Sequence, residues 1–261
     1  MIIGINATFA CFETWRMLPR LLEPMIVKIP FVSWIPRLPS SALPIFFAAW
    51  LLAALLFIVG WKTRVAGAVL ALATGYTLVL DQQTYSNHLY LLFLITLLLT
   101  IAESGATWSL DAWRRGSKSD VAFWPILLLK TQITIVYFFS AAAKITPHYL
   151  AGEILAASLK PGGLLAVPQA WRTPAFLSAL AVISILMELF IAFGLWSRRL
   201  RLFALIAGVG FHLSILAIVG SSRLSLAIFA LGVFAVYPLF IDEGQLQRWH
   251  WLLRDKTTRT R

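Results

Sequence analysis

The sequence predicts an all-α, multi-pass integral membrane helix bundle of about seven membrane segments, preceded by a short N-terminal apolar segment. Three observations carry this prediction. Of 261 residues, 60% are hydrophobic and only 13% charged, about half the charge of a soluble domain. The apolar runs are continuous rather than alternating, which argues against a β-barrel. Basic residues cluster between those runs, where they set orientation and meet anionic lipid. The net charge of +11 therefore points to a lipid bilayer as partner and not to nucleic acid.

Residues 1–20 form a short apolar run that ends in Glu13, Arg16 and Arg20. It is either a half-span or the remnant of a first membrane helix. Residues 24–44 carry Pro24, Pro30, Pro36, Pro39 and Pro44, with Trp34 among them. Five prolines exclude a regular helix, so this is an interfacial or re-entrant connector. Residues 1–44 are thus set apart from a membrane domain at 45–241 and a basic tail at 242–261. Seven apolar segments follow, at 42–60, 65–80, 88–102, 121–144, 174–196, 200–219 and 224–241. Those at 65–80 and 88–102 are shorter than the usual span of about 20 residues, and the second is expected to begin one turn earlier.

Lysine and arginine set the orientation. Lys62, Arg64, Arg114, Arg115, Lys118, Arg198, Arg199, Arg201 and the basic tail fall on one side. Lys28, Arg37, Lys160, Arg172 and Arg223 fall on the other. Thirteen against five puts the first set and the C-terminus in the cytoplasm, and in a bacterium makes the membrane the inner one. The single cysteine, Cys11, excludes an internal disulfide and a cysteine-based metal cluster. No basic n-region or cleavage site marks a signal peptide.

The stretch 131–153 is the most informative. At 100° per residue, Lys130, Thr134, Tyr137, Ala141 and Lys144 lie within about 40° of one line. Ile133, Val136 and Phe139 lie opposite. One wettable stripe thus runs through a lipid-compatible helix and ends at Lys144, just before Thr146 and Pro147 stop the helix. The same topology brings Asn87 and His88 to the outer face and puts His212 about two-thirds of the way along an outward helix. His88, Lys144 and His212 then share roughly one depth. Glu188 is an acid at membrane depth, a costly placement that marks a functional candidate, with Ser184 one turn before it. Each has a plainer reading: Lys130 and Lys144 as interfacial anchors, His212 as a packing residue, Glu188 as a helix–helix pair, Asn87 as a helix cap. No H-E-x-x-H run or carboxylate cluster occurs, so no metal is expected. Lys160-Pro161-Gly162-Gly163 is a turn signal.

Four places resemble a known family: Tyr85-Ser86-Asn87-His88-Leu89-Tyr90-Leu91; Trp108-Ser109-Leu110-Asp111 followed by Arg114-Arg115; Gln132 to Phe138 with Ala143-Lys144-Ile145 and Gly152; and Phe211-His212 after Ser197-Arg198-Arg199. In this order and spacing, from about 45 to 240, they resemble the membrane domain of vitamin K-dependent γ-glutamyl carboxylases and their bacterial relatives, the HTTM (horizontally transferred transmembrane) proteins. The resemblance implies Lys144 as the base that takes a proton from reduced vitamin K or another quinone. O2 then adds, and the oxygenated quinone takes a proton from a glutamate γ-carbon, which captures CO2. A lysine must be neutral to do this, and apolar surroundings with a poor counter-ion favour the neutral amine. The resemblance makes His88 a second catalytic candidate. With Asn87 it would stabilise the developing oxyanion, while Tyr137 and His212 line the pocket.

The departures are specific. Ala143 stands where the family often has a second lysine. The carboxylases carry a large domain after the membrane part, whereas this sequence runs about 20 residues past its last apolar segment, so propeptide recognition is not expected and glutamate carboxylation would need a partner protein or a small peptide substrate. The first family helix also looks shortened. The favoured activity is oxygen-dependent oxidation or epoxidation of a reduced quinone. The alternatives are a non-enzymatic quinone- or lipid-binding subunit supporting a partner protein, and a small-peptide transport or immunity protein.

Overall fold

A computed structural model describes residues 1–17, 27–82, 85–102, 104–106, 109–116, 122–159, 164–165, 167–219 and 223–241. Trp108, Lys118, the turn at 160–163 and the basic tail at 242–261 lie outside the described residues. The described chain is all-helical. Its α-helices are α1 (Ile2–Arg16), α2 (Leu43–Val59), α3 (Thr63–Leu80), α4 (Asn87–Ile101), α5 (Leu110–Arg115), α6 (Phe123–Ala143), α7 (Pro147–Leu150), α8 (Glu153–Ser158), α9 (Pro174–Gly194), α10 (Arg201–Ile218) and α11 (Arg223–Val236). The last continues as a 3₁₀ turn, Tyr237–Phe240.

Six helices among the described residues are long and apolar enough to cross a membrane: α2 with the 3₁₀ turn before it, α3, α6, α9, α10, and α11 with its 3₁₀ extension. The segment expected at 65–80 begins at Thr63 and reaches 18 residues. The one expected at 88–102 stays short: α4 has 15 residues and begins at Asn87, one residue early rather than one turn. Its N-cap position is Ser86, in extended backbone, so Asn87 is the first helical residue and not the cap. Over residues 27–42 the chain makes only two 3₁₀ turns, Pro30–Val32 and Ser40–Ala42, as expected where prolines withhold N–H donors.

Two groups of helices surround the core. In the first, α1 packs on α2, α4 and α11, and α3 lies between α2 and α4. Small residues permit the close approach: Ala7 and Ala10 of α1, Ala53 and Ala54 of α2, and Ala66 and Ala73 of α3 are all buried. Within α3 and α4 the buried Thr74 and Thr96 satisfy their hydroxyls inside their own helices, on Leu70 O and Leu92 O, which suits a bundle with no water to bond. In the second group α6 pairs with α9, and α9 packs on α10. The α6–α9 seam is antiparallel: Trp196 Nε1 donates to Thr134 Oγ1 at 2.7 Å, Phe138 meets Phe193, and Ser140 meets Glu188.

Asp111, in the Trp-Ser-Leu-Asp element, joins α5 to the start of α3. Its Oδ1 accepts from the Lys62 N–H at 2.8 Å, and its Oδ2 from the Thr63 N–H at 2.9 Å and the Thr63 hydroxyl at 3.0 Å. These N–H groups have no partner inside the helix, so a carboxylate is the natural cap.

One detail of α6 differs from the stripe read in the sequence. Its buried line is Leu129, Ile133, Tyr137 and Ala141, a four-residue spacing. Ile133, expected on the lipid face, is fully buried. The reason is that α6 is covered on two sides, by α9 and by α4 and α11, so a single apolar-versus-polar line does not describe it.

Candidate functional site

Helix α6 ends where its sequence says it should. Thr146 caps the next turn by accepting from Tyr149 N at 3.3 Å, and Pro147 occupies its first position. The chain then turns at Gly152, whose φ of +78° is left-handed and whose Cβ would meet Leu177 Cβ at 2.5 Å. Only glycine suits both conditions. The turn brings α7 against α9, above the last turn of α6.

Lys144 is the C-cap of α6. Side chains of helical residues lean toward the helix N-terminus, so the Lys144 amine reaches inward along α6. Glu188 sits on the antiparallel neighbour and leans the opposite way in space. The two meet: Lys144 Nζ lies 2.6 Å from Glu188 Oε1. Ser140, one turn before Lys144, donates to the same oxygen at 2.9 Å. Glu188 is 3% exposed, while the Lys144 side chain is 23% exposed, so the pair has one wet and one dry end. The amine also lies over two rings, Phe211 at 5.7 Å and Tyr149 at 5.8 Å, in cation–π range. The Tyr149 hydroxyl bonds Ser184 at 2.8 Å.

The counter-ion is a correction to the sequence argument, which had Lys144 poorly paired. A buried carboxylate lies within hydrogen-bond distance of its amine. Glu188 belongs to the C-terminal half of α9, yet it bonds a lysine at the C-terminal end of the antiparallel α6, because both side chains lean into the gap.

A second layer lies behind. Tyr137, seven residues before Lys144, is 2% exposed. Its hydroxyl is 2.8 Å from His212 Nε2 and 2.5 Å from the Tyr237 hydroxyl. Phe211, whose ring faces the Lys144 amine, precedes His212 in α10, and the His212 ring lies among Phe211, Phe229 and Phe234. Gly208, one turn before His212, leaves room for Tyr237: a Cβ there would lie 2.0 Å from the Tyr237 oxygen.

The structure therefore brings Lys144 together with Glu188, and Tyr137 with His212. It takes His88 elsewhere. His88 Nε2 lies 2.6 Å from Glu13 Oε2, and Ser225 donates to Glu13 Oε1. This cluster joins α1, α4 and α11. Asn87 is exposed at the start of α4. Glu13, Ser140, Tyr149, Ser225 and Tyr237 were not singled out as site residues from the sequence. Ser140 carried a signal, being four residues before Lys144. Tyr237 carried none, since it ends an apolar run before Pro238. No group of three or more metal-ligating side chains occurs among the described residues.

Fold and site together define an all-helical, multi-pass membrane protein with ionisable pairs inside its bundle. The chain belongs to the HTTM domain family, whose model matches residues 2–244 and so takes in every helix from α1 to α11. No solved structure matches the chain.

Proposed function

We propose that this protein acts on a reduced quinone, in an oxygen-dependent oxidation or epoxidation that depends on the Lys144 amine. The observation that carries the reading is the Lys144–Glu188 pair: a buried carboxylate and a partly exposed amine beside two aromatic rings. Such a site suits an aromatic ligand with polar hydroxyl ends. The Phe211 and Tyr149 rings would hold its ring, and Lys144 and Glu188 its oxygens. An apolar groove of about 490 Å³ between α9 and α10, lined by Met187, Phe190, Phe203 and Ile206 among others, offers a surface for an apolar tail. Tyr137 and His212 back the site. Asn87 and His88 enter only through the family resemblance, since the contacts of His88 are with Glu13 and Ser86. A bound quinone would supply the redox chemistry with O2. CO2 capture on glutamate would require a partner protein or a small peptide. The excess of basic residues around 62–64 and 198–201 supports a cytoplasmic position for that end of the bundle and for the C-terminus.

The test is conversion of vitamin K hydroquinone to its epoxide by purified protein in detergent, with Lys144→Ala in parallel. Epoxide from the wild type and its loss in the variant are expected. Full turnover by Lys144→Ala overturns the reading. One observation favours a second reading, a quinone-binding subunit without catalysis: Lys144 is already neutralised by Glu188. That reading predicts quinone binding that persists in Lys144→Ala with no product from either protein.

A further inference from the structure

We infer that Glu188, through its Oε2, is the group that takes the proton from the hydroxyl of an aromatic ligand, while Lys144 remains an ammonium facing the ligand oxygen. The inference rests on the reading that the site binds an aromatic hydroxyl compound, and it divides the work of the ion pair differently from a lysine base.

The two oxygens of Glu188 differ in their partners. Glu188 Oε1 accepts from both Lys144 and Ser140. Oε2 is buried and has no hydrogen-bond partner among the described residues. A carboxylate oxygen left so is costly, because it has lost water and gained nothing. The groups around it are Lys144 at the end of α6, Tyr137 and Ser140 within α6, Tyr149 on α7 and His212 on α10. Their hydroxyl protons are committed. The Ser140 proton goes to Oε1. Ser184 donates to Ala181 O at 2.8 Å, so the Tyr149 proton must go to Ser184. Tyr137 has one proton and two partners. Its hydroxyl is held by His212 and Tyr237, and it makes no bond to Oε2. No side-chain donor among the described residues reaches Oε2, so an incoming hydroxyl beside the partly exposed Lys144 is the group that would complete Glu188.

The same difference gives the chemistry. The ligand O–H bond breaks, and its proton goes to Oε2. The electron pair stays on the ligand oxygen, which gains the Lys144 ammonium as counter-charge when Glu188 becomes neutral. Charge is conserved, and no oxidant enters this step. Lys144 never needs to lose a proton, which agrees with its close pairing.

The experiment uses 4-nitrophenol, whose anion absorbs visible light and whose neutral form does not. Purified full-length protein is titrated at a pH where the free probe is mostly neutral. The wild type is expected to bind the anion, and infrared difference spectra are expected to show a new protonated-carboxyl carbonyl band on binding. In Glu188→Gln the carboxyl band should disappear, and anion bound beside the Lys144 ammonium should release its proton to solvent, about one per probe bound, a release the wild type does not show. Lys144→Met should lose the anion, for want of a counter-charge. Anion binding by the wild type without the carboxyl band overturns the inference, as does a carboxyl band that persists in Glu188→Gln or no binding at all. The infrared result stands on the wild type alone, whether or not a variant folds. None of these readouts involves a quinone. A failed epoxidation assay with a positive carboxyl band would therefore sink the quinone reading and leave this one.

Discussion

Gly208→Ala should destabilise the bundle while Gly210→Ala, half a turn away on the same helix, should not. At Gly208 an added Cβ would lie 2.0 Å from the Tyr237 oxygen and 2.8 Å from its Cζ. Van der Waals contact needs more than 3 Å, so the ring has to move by about 1 Å. That movement breaks the 2.5 Å bond between Tyr237 and Tyr137. A buried hydroxyl left without its partner costs about 1–3 kcal/mol, and overpacking about 1–3 kcal/mol more. Better helix propensity returns up to about 1 kcal/mol. With that return in full, the net loss is about 1–5 kcal/mol. At Gly210 nothing lies within 4 Å, so only the propensity gain remains. Unfolding midpoints in detergent, followed by tryptophan fluorescence, compare the two. Adding Tyr237→Phe to Gly208→Ala removes the 2.0 Å contact but not the 2.8 Å one, so it should restore about 1 kcal/mol and no more. Equal stability of the two alanine variants would refute the packing argument.

Three further outcomes are expected. Glu13→Ala should cost about 3–5 kcal/mol, because it leaves His88 buried without its partner. A cycle with His88→Ala, read by the same unfolding assay, should show the double variant costing less than the sum of the singles. Trp196→Phe should lose the bond to Thr134 at about 0.5–1.5 kcal/mol, and thermal midpoints should show the same small drop in Thr134→Val. Asp111 should impose an acid limb on stability. Burial pushes its carboxyl up, but the Thr63 and Lys62 donors outweigh this and hold it below its ordinary value. A carboxylate lowered by folding stabilises fully above its unfolded value, near pH 4, and loses that contribution as pH falls through the folded value. Thermal midpoints below about pH 4 should therefore fall less steeply in Asp111→Ala than in the wild type.

The class of fold was legible because membrane helices leave a crude signal: long apolar runs divided by basic turns. That signal located α2, α6, α9, α10 and α11 to within a few residues. It placed α4 within a residue and marked it as shorter than a span, but it could not show that α1 is packed on three helices. Lys144 and Glu188 were each legible as anomalies, since a charge in an apolar run has to be explained. Their pairing was not. It depends on α6 and α9 running antiparallel in one register, and no spacing within a single helix reports that. For the same reason, the shared depth of His88 and Lys144 did not report which neighbours each would have. Depth follows from topology, whereas lateral neighbours follow from packing, and it was packing that gave His88 to Glu13.

Two buried carboxylate–base pairs thus sit in one bundle, and what each leaves over separates them. Glu13 uses both oxygens, one on His88 and one on Ser225, and its partner is nearly as buried as itself. Such a closed pair ties α1 to α4 and α11 and leaves neither Glu13 oxygen without a partner. Glu188 uses one oxygen and leaves the other bare, while its lysine is partly exposed. A bundle in lipid tolerates an ion pair because the net charge is zero, but it gains nothing from an unfilled acceptor. The bare oxygen is a cost that the closed pair shows to be avoidable in this same fold: a single serine on a neighbouring helix would remove it. Its retention beside an open lysine is the reason for assigning the ligand chemistry to Lys144 and Glu188.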